Sequence, residues 1–70
     1  MMTYIDMEEV MRKAKIDVGK NCKEMRKNLG LTMEQVAVGA GVSKTTVANT
    51  EAGSFISKKV FDYLDLLTRR

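Results

Sequence analysis

Histidine, proline and tryptophan are absent from this chain, and it holds one cysteine, two tyrosines and two phenylalanines. Each shortage excludes something. With no histidine and one cysteine, a zinc site lacks its usual nitrogen and sulfur ligands, and no intrachain disulfide can form. Cys22 also has no imidazole to activate it, and it falls on an apolar stripe, so it reads as a buried apolar residue rather than a nucleophile. The scarcity of rings argues against strands. No apolar run approaches the roughly 20 residues of a membrane span, and the first residues carry acids where a signal sequence carries bases. The expectation is a cytoplasmic protein with no membrane partner.

What is present points to helices. Seventy residues make one domain, and 44% of them are apolar. A domain this small buries only about 60% of its unfolded surface, so compact helical packing or dimerisation would help it. Met, Lys, Glu and Ala are plentiful, and all favour helix. The net charge of +3 suits a polyanionic partner. Its distribution says more. Residues 1–11 carry only the acids Asp6, Glu8 and Glu9, whereas residues 12–27 set Arg12, Lys13, Lys15, Lys20, Lys23, Arg26 and Lys27 against Asp17 and Glu24. Taken alone, such a run is equally a solvated helix face.

Met7, Val10, Met11, Ala14, Val18, Cys22, Met25 and Leu29 recur at steps of three or four, a continuous helical stripe. Asp17 and Gly19 interrupt it, as a cap and a poor helix former. The pattern fits two helices, about 6–15 and 18–29, or one long bent one, and Gly30 stops the element. Thr32 with Gln35 forms a capping box for a helix at about 33–39, with Val36 and Ala37 inward. Gly39-Ala40-Gly41 makes the turn. Ser43 caps a helix at about 44–52, with Val47 inward and Gly53 as its end. Phe55 and Ile56 are expected to plug the core from the following loop. Ser57 caps a last helix whose apolar face is Val60, Phe61, Leu64 and Leu67, with Arg69 and Arg70 at its C-terminal end.

Two short capped helices joined by a glycine turn have the layout of a helix-turn-helix. Leu31-Thr32, Glu34, Val36-Ala37, Gly41-Val42-Ser43, Val47, Glu51 and Gly53 resemble the lambda-repressor/Cro (XRE) helix-turn-helix family. Val18-Gly19, Cys22, Met25-Arg26 and Gly30 are similar to its first helix, and Val60 to Leu67 to its fourth. The resemblance covers about residues 17–68. It implies an all-α, lambda-repressor-like four-helix domain at 17–70, preceded by an N-terminal helical extension at 1–16. It also implies that the second helix of the motif enters the major groove of double-stranded DNA.

On that resemblance, Lys44, Thr45 and Asn49 face the bases. Lys44 can donate to guanine O6 and N7, Asn49 can pair with adenine N6 and N7, and the Thr45 methyl can meet a thymine methyl. Ser43, Thr46, Thr32, Lys58, Lys59 and Lys20 are the candidates for backbone contact, which positions a protein without reading sequence. Arg26 and Glu51 are expected to form a shielded structural ion pair, with Arg26 also a candidate for a phosphate. Three positions depart from the family. Met33 stands where relatives carry a phosphate-contacting glutamine, Ala52 where a polar residue is usual, and Thr50 where an aliphatic one is. The stripe Tyr4, Ile5, Met7, Val10, Met11 and Ala14 stands in for a fifth helix that helps relatives dimerise. It is expected to pack on the domain or across a dimer interface.

No enzyme is expected. Gly39-Ala-Gly-Val-Ser-Lys-Thr lacks the glycine before lysine that a phosphate loop needs, and Glu8 and Glu9 diverge on a helix. Nothing calls for a cofactor, a metal or a small-molecule substrate. The expectation is a Cro-like transcriptional regulator, a repressor, acting as a homodimer and encoded by a bacterium, phage or mobile element. The competing classes are a protein-interaction module (an antitoxin or antirepressor) on the same fold, and a recombination-accessory DNA binder.

Overall fold

The structure is a computed structural model that describes residues 7–69. Tyr4 and Ile5 of the apolar stripe, and Arg70, lie outside the described residues. Four helices follow in order: α1 Met7–Asn28, α2 Met33–Ala40, α3 Lys44–Ala52 and α4 Lys58–Thr68. No strand occurs among the described residues, so the fold is all-α as the composition implies. α1 packs on α3 and α4, and α2 packs on the same two helices. The core between them is Cys22, Val36, Ala37, Val47, Val60 and Leu64, flanked by Val18, Met25, Leu31, Met33, Ala40, Val42, Phe61 and Tyr63.

The capping signals place the three short helices. Thr32 accepts from Gln35 N at 3.1 Å while Gln35 Oε1 accepts from Thr32 N at 2.8 Å, the reciprocal capping box. Ser43 Oγ accepts from Thr46 N, and Ser57 Oγ from Val60 N. Between α2 and α3, Gly41 adopts φ 74° and Val42 N donates back to Ala37 O at 2.9 Å. Only glycine takes that left-handed backbone without penalty, so it closes α2 and aims the chain into α3.

α1 is one helix of 22 residues, about 33 Å long at 1.5 Å per residue. Asp17 is an exposed residue in its interior and caps nothing. Gly19 is no breaker either. A Cβ there would lie 2.5 Å from Thr50 O and 2.8 Å from Glu51 O. The missing side chain lets α1 press directly on the end of α3, and that contact outweighs the roughly 1 kcal/mol that glycine costs a helix.

Two expectations about packing hold only in part. Phe55 does not plug the core but stands 56% exposed, and Ile56 is the half-buried one. The turn that ends α3, with Ser54 N and Phe55 N both donating to Asn49 O, carries Phe55 outward and leaves the next residue facing in. Met7, Val10 and Met11 are exposed too, so this part of the stripe does not cover its own core. The fold, α1 included, spans 47 × 24 × 15 Å, and Glu8, Met11, Arg12 and Lys15 line a groove with Gly53 and Ser54.

Candidate nucleic-acid interface

α3 has two faces, and its sequence divides them. Val47, Thr50 and Glu51 are buried. Lys44, Thr45, Asn49 and Ala52 are exposed and, with half-buried Ala48, fall on one side of a 3.6-residue helix. The three side chains expected to face bases therefore share one surface. Ala48 belongs to it and was not singled out by sequence, although its spacing of four from Lys44 and three from Thr45 marks it. Its methyl and that of Ala52 keep the middle of the face low, so a flat surface can approach the helix backbone. An alanine methyl there can also meet a thymine methyl.

The hydrogen bonds that hold α3 leave this face alone. Arg26 Nε donates to Glu51 Oε2 at 2.5 Å, and Arg26 Nη2 donates to Glu51 Oε1 at 3.1 Å, a bidentate pair. Arg26 Nη1 donates to Leu31 O at 3.0 Å. One guanidinium thus ties the end of α1, the approach to α2 and the end of α3. Its side chain is 12% exposed and that of Glu51 is 4% exposed. The bond to Glu51 holds the Arg26 pKa above its ordinary value against the opposing effect of burial. Each guanidinium nitrogen donates inside the fold, so Arg26 is a brace, and the second N–H on each of Nη1 and Nη2 is what the expected phosphate contact would use. Burial, assisted by the Glu51 carboxylate, pushes the Cys22 thiol up, so it stays protonated and inert.

Thr50 explains itself as a second brace. Its hydroxyl donates to Thr46 O at 2.8 Å and accepts from Ser57 N at 3.2 Å, with the residue fully buried. An aliphatic residue would leave Ser57 N without that acceptor. The threonine thus fixes where α4 starts relative to α3. Met33 packs against the core, so it is a packing residue where a glutamine would be polar.

The backbone-contact candidates are distributed over the surface. Ser43 and Thr46 share a hydroxyl contact of 3.0 Å at the start of α3. Exposed Thr32 caps α2, Lys58 and Lys59 stand exposed on the first turn of α4, and Lys20 is exposed on α1 next to Gly19. The N-terminus of α3 and the first turn of α4 offer backbone N–H groups and, on α4, two ammonium groups, which is chemistry suited to phosphate.

A family model described as helix-turn-helix matches residues 23–61, more than half of the chain. The match runs from the last turns of α1 to the first turn of α4. It includes Arg26, Thr32, Ser43, the whole of α2 and α3, and Lys58 and Lys59. No curated protein and no solved structure matches the chain.

Proposed function

We propose that this chain, which belongs to the helix-turn-helix family and so to a family of DNA-binding regulators, is a sequence-specific transcriptional regulator of Cro-like size, a repressor acting as a homodimer. In this reading α3 enters the major groove, with Lys44, Thr45 and Asn49 on base edges and Ala48 at the groove floor. Ser43, Thr46, Thr32, Lys58, Lys59 and Lys20 hold the phosphates. It works in the cytoplasm of a bacterium, on host, phage or mobile-element DNA.

The observation that carries this reading is the face of α3, polar at its ends and low in the middle, on a helix held from behind by Arg26–Glu51 and Thr50. A reading helix must be fixed in register and have its outer side chains unspent, and α3 meets both conditions. Selection from random duplex DNA at two salt concentrations tests it. A spaced inverted repeat should emerge, with affinity falling steeply in salt. Lys44→Ala and Asn49→Ala should each lose about 1–3 kcal/mol on the selected site and relax one base position, with the melting temperature unchanged. No enriched sequence would favour a protein-interaction module, the reading supported by the apolar Met33 and Ala52.

A further inference from the structure

Among the described residues, Phe55 is the aromatic side chain left outside the fold, while Phe61 and Tyr63 pack against the core. Slack in the loop does not put it there. Gly53 N donates to Thr50 O at 3.1 Å, and Ser54 N and Phe55 N donate to Asn49 O at 3.1 and 3.4 Å. Ser57 N donates to Thr50 Oγ1 at 3.2 Å. These bonds tie the segment back to α3. Gly53 is buried, and a Cβ on it would lie 2.8 Å from Ile16 Cα, so α1 closes the other side of the turn. A ring on a segment fixed in this way is preorganised outside the core, and binding through it has little left to order.

The same bonds give its place. Helix carbonyls point along the axis toward the C-terminus, so an N–H that meets Asn49 O lies beyond the end of α3 on the Asn49 side. Asn49 stands on the exposed face with Lys44, Thr45 and Ala52. Phe55 therefore continues that face past the last turn of the helix. The groups along the chain on either side of it are polar or basic where they are exposed: Ser54 before it, and Lys58 and Lys59 on the first turn of α4. Ile56, the other apolar residue of the loop, is half-buried. A single ring among such groups lacks the contiguous apolar surroundings of a protein interface. It suits the edge of a DNA groove, where bases lie between phosphates.

We propose that Phe55 is a base-reading residue whose ring packs on the C5-methyl of a thymine in the major groove, beside the base that Asn49 reads. This rests on the DNA reading above and adds to it a contact from outside α3. The thymine methyl is the apolar group that the major groove presents, so a ring placed against it selects thymine. Because the Phe55 N–H is held by Asn49 O, the ring keeps step with the reading helix. The half-site then extends beyond the end of α3 on the side away from Lys44.

The experiment starts from the site that the full chain selects from random duplex DNA, with Asn49→Ala marking the base pair that Asn49 reads. Each thymine of one half-site is replaced in turn by uracil, which removes the methyl and keeps the pairing edge and the phosphates. Affinity is measured by fluorescence anisotropy. The wild type should lose about fourfold at one thymine beside the Asn49 base pair, the worth of one buried methyl. Phe55→Ala should bind the thymine site at least fourfold more weakly and be indifferent to that replacement, with melting temperature and sedimentation mass unchanged. Phe55→Leu should keep part of the discrimination. A selected site with no thymine beside that base pair, a wild type indifferent to uracil there, or a Phe55→Ala protein that still discriminates would each overturn the proposal. A Phe55→Ala loss equal on every sequence and accompanied by a lower mass would overturn it too, and would make the ring a contact between two copies. Enrichment of no sequence would sink the DNA reading and this contact with it. An enriched site that Phe55→Ala binds as the wild type does would sink this contact alone.

Discussion

From Met7 to Ala14, α1 sets its apolar residues at steps of three and four and leaves them exposed, whereas from Val18 to Met25 the same spacing runs into the core. The pattern in the sequence is the same in both halves. What differs is the detail around it. The second half contains Gly19, whose lack of a side chain admits the end of α3, Cys22, which fills a small space, and Arg26, which finds Glu51. The first half has flexible methionines bordered by charges of alternating sign. Periodicity identifies a face, and residues such as Gly19, Cys22 and Arg26 decide whether the domain covers it.

Substitutions that probe the two halves should separate widely. The largest effect belongs to the brace. Glu51→Ala leaves the Arg26 guanidinium shielded and unpaired, and about 3–5 kcal/mol should be lost in urea denaturation. At roughly 0.05–0.15 kcal/mol per residue, a chain of 70 residues has little stability in reserve, so a loss of this size should remove a large share of it. Gly19→Ala comes next. The added methyl meets two backbone carbonyls at α3, and overpacking of this kind costs about 1–3 kcal/mol, partly offset by the better helix propensity of alanine. The same change should weaken DNA binding, because α3 must shift to make room. The smallest effect is Met11→Ala, which should alter the thermal stability of the monomer by no more than about 0.5 kcal/mol, as at other exposed positions. A large loss there would erase the contrast between the halves.

The three short helices were legible in the sequence almost to the residue, because Thr32, Ser43 and Ser57 start them with local hydrogen bonds and glycine ends two of them. The pairing of Arg26 with Glu51 was also legible, through family resemblance rather than spacing. The continuity of α1 was not. Asp17 and Gly19 look locally like a break, and only the approach of α3, some thirty residues along the chain, gives Gly19 its purpose. Phe55 and Ile56 were interchangeable in sequence, and the hydrogen bonds to Asn49 O decide which faces in. Ala48 escaped notice because a small residue on a reading face carries no polar signal. The role of Thr50 was hidden for a similar reason, since its acceptor work serves a loop seven residues ahead.

In the proposed reading the outer face of α3 meets DNA while the exposed half of α1 does not. The most direct measurement is an NMR titration of the isotope-labelled chain with duplex DNA, read residue by residue. The largest shifts should fall at Lys44, Thr45, Ala48 and Asn49, smaller ones at Ser43, Lys58 and Lys59, and none at Met7, Val10 and Met11. Shifts concentrated on the first half of α1, or none on α3 at saturating DNA, would contradict it.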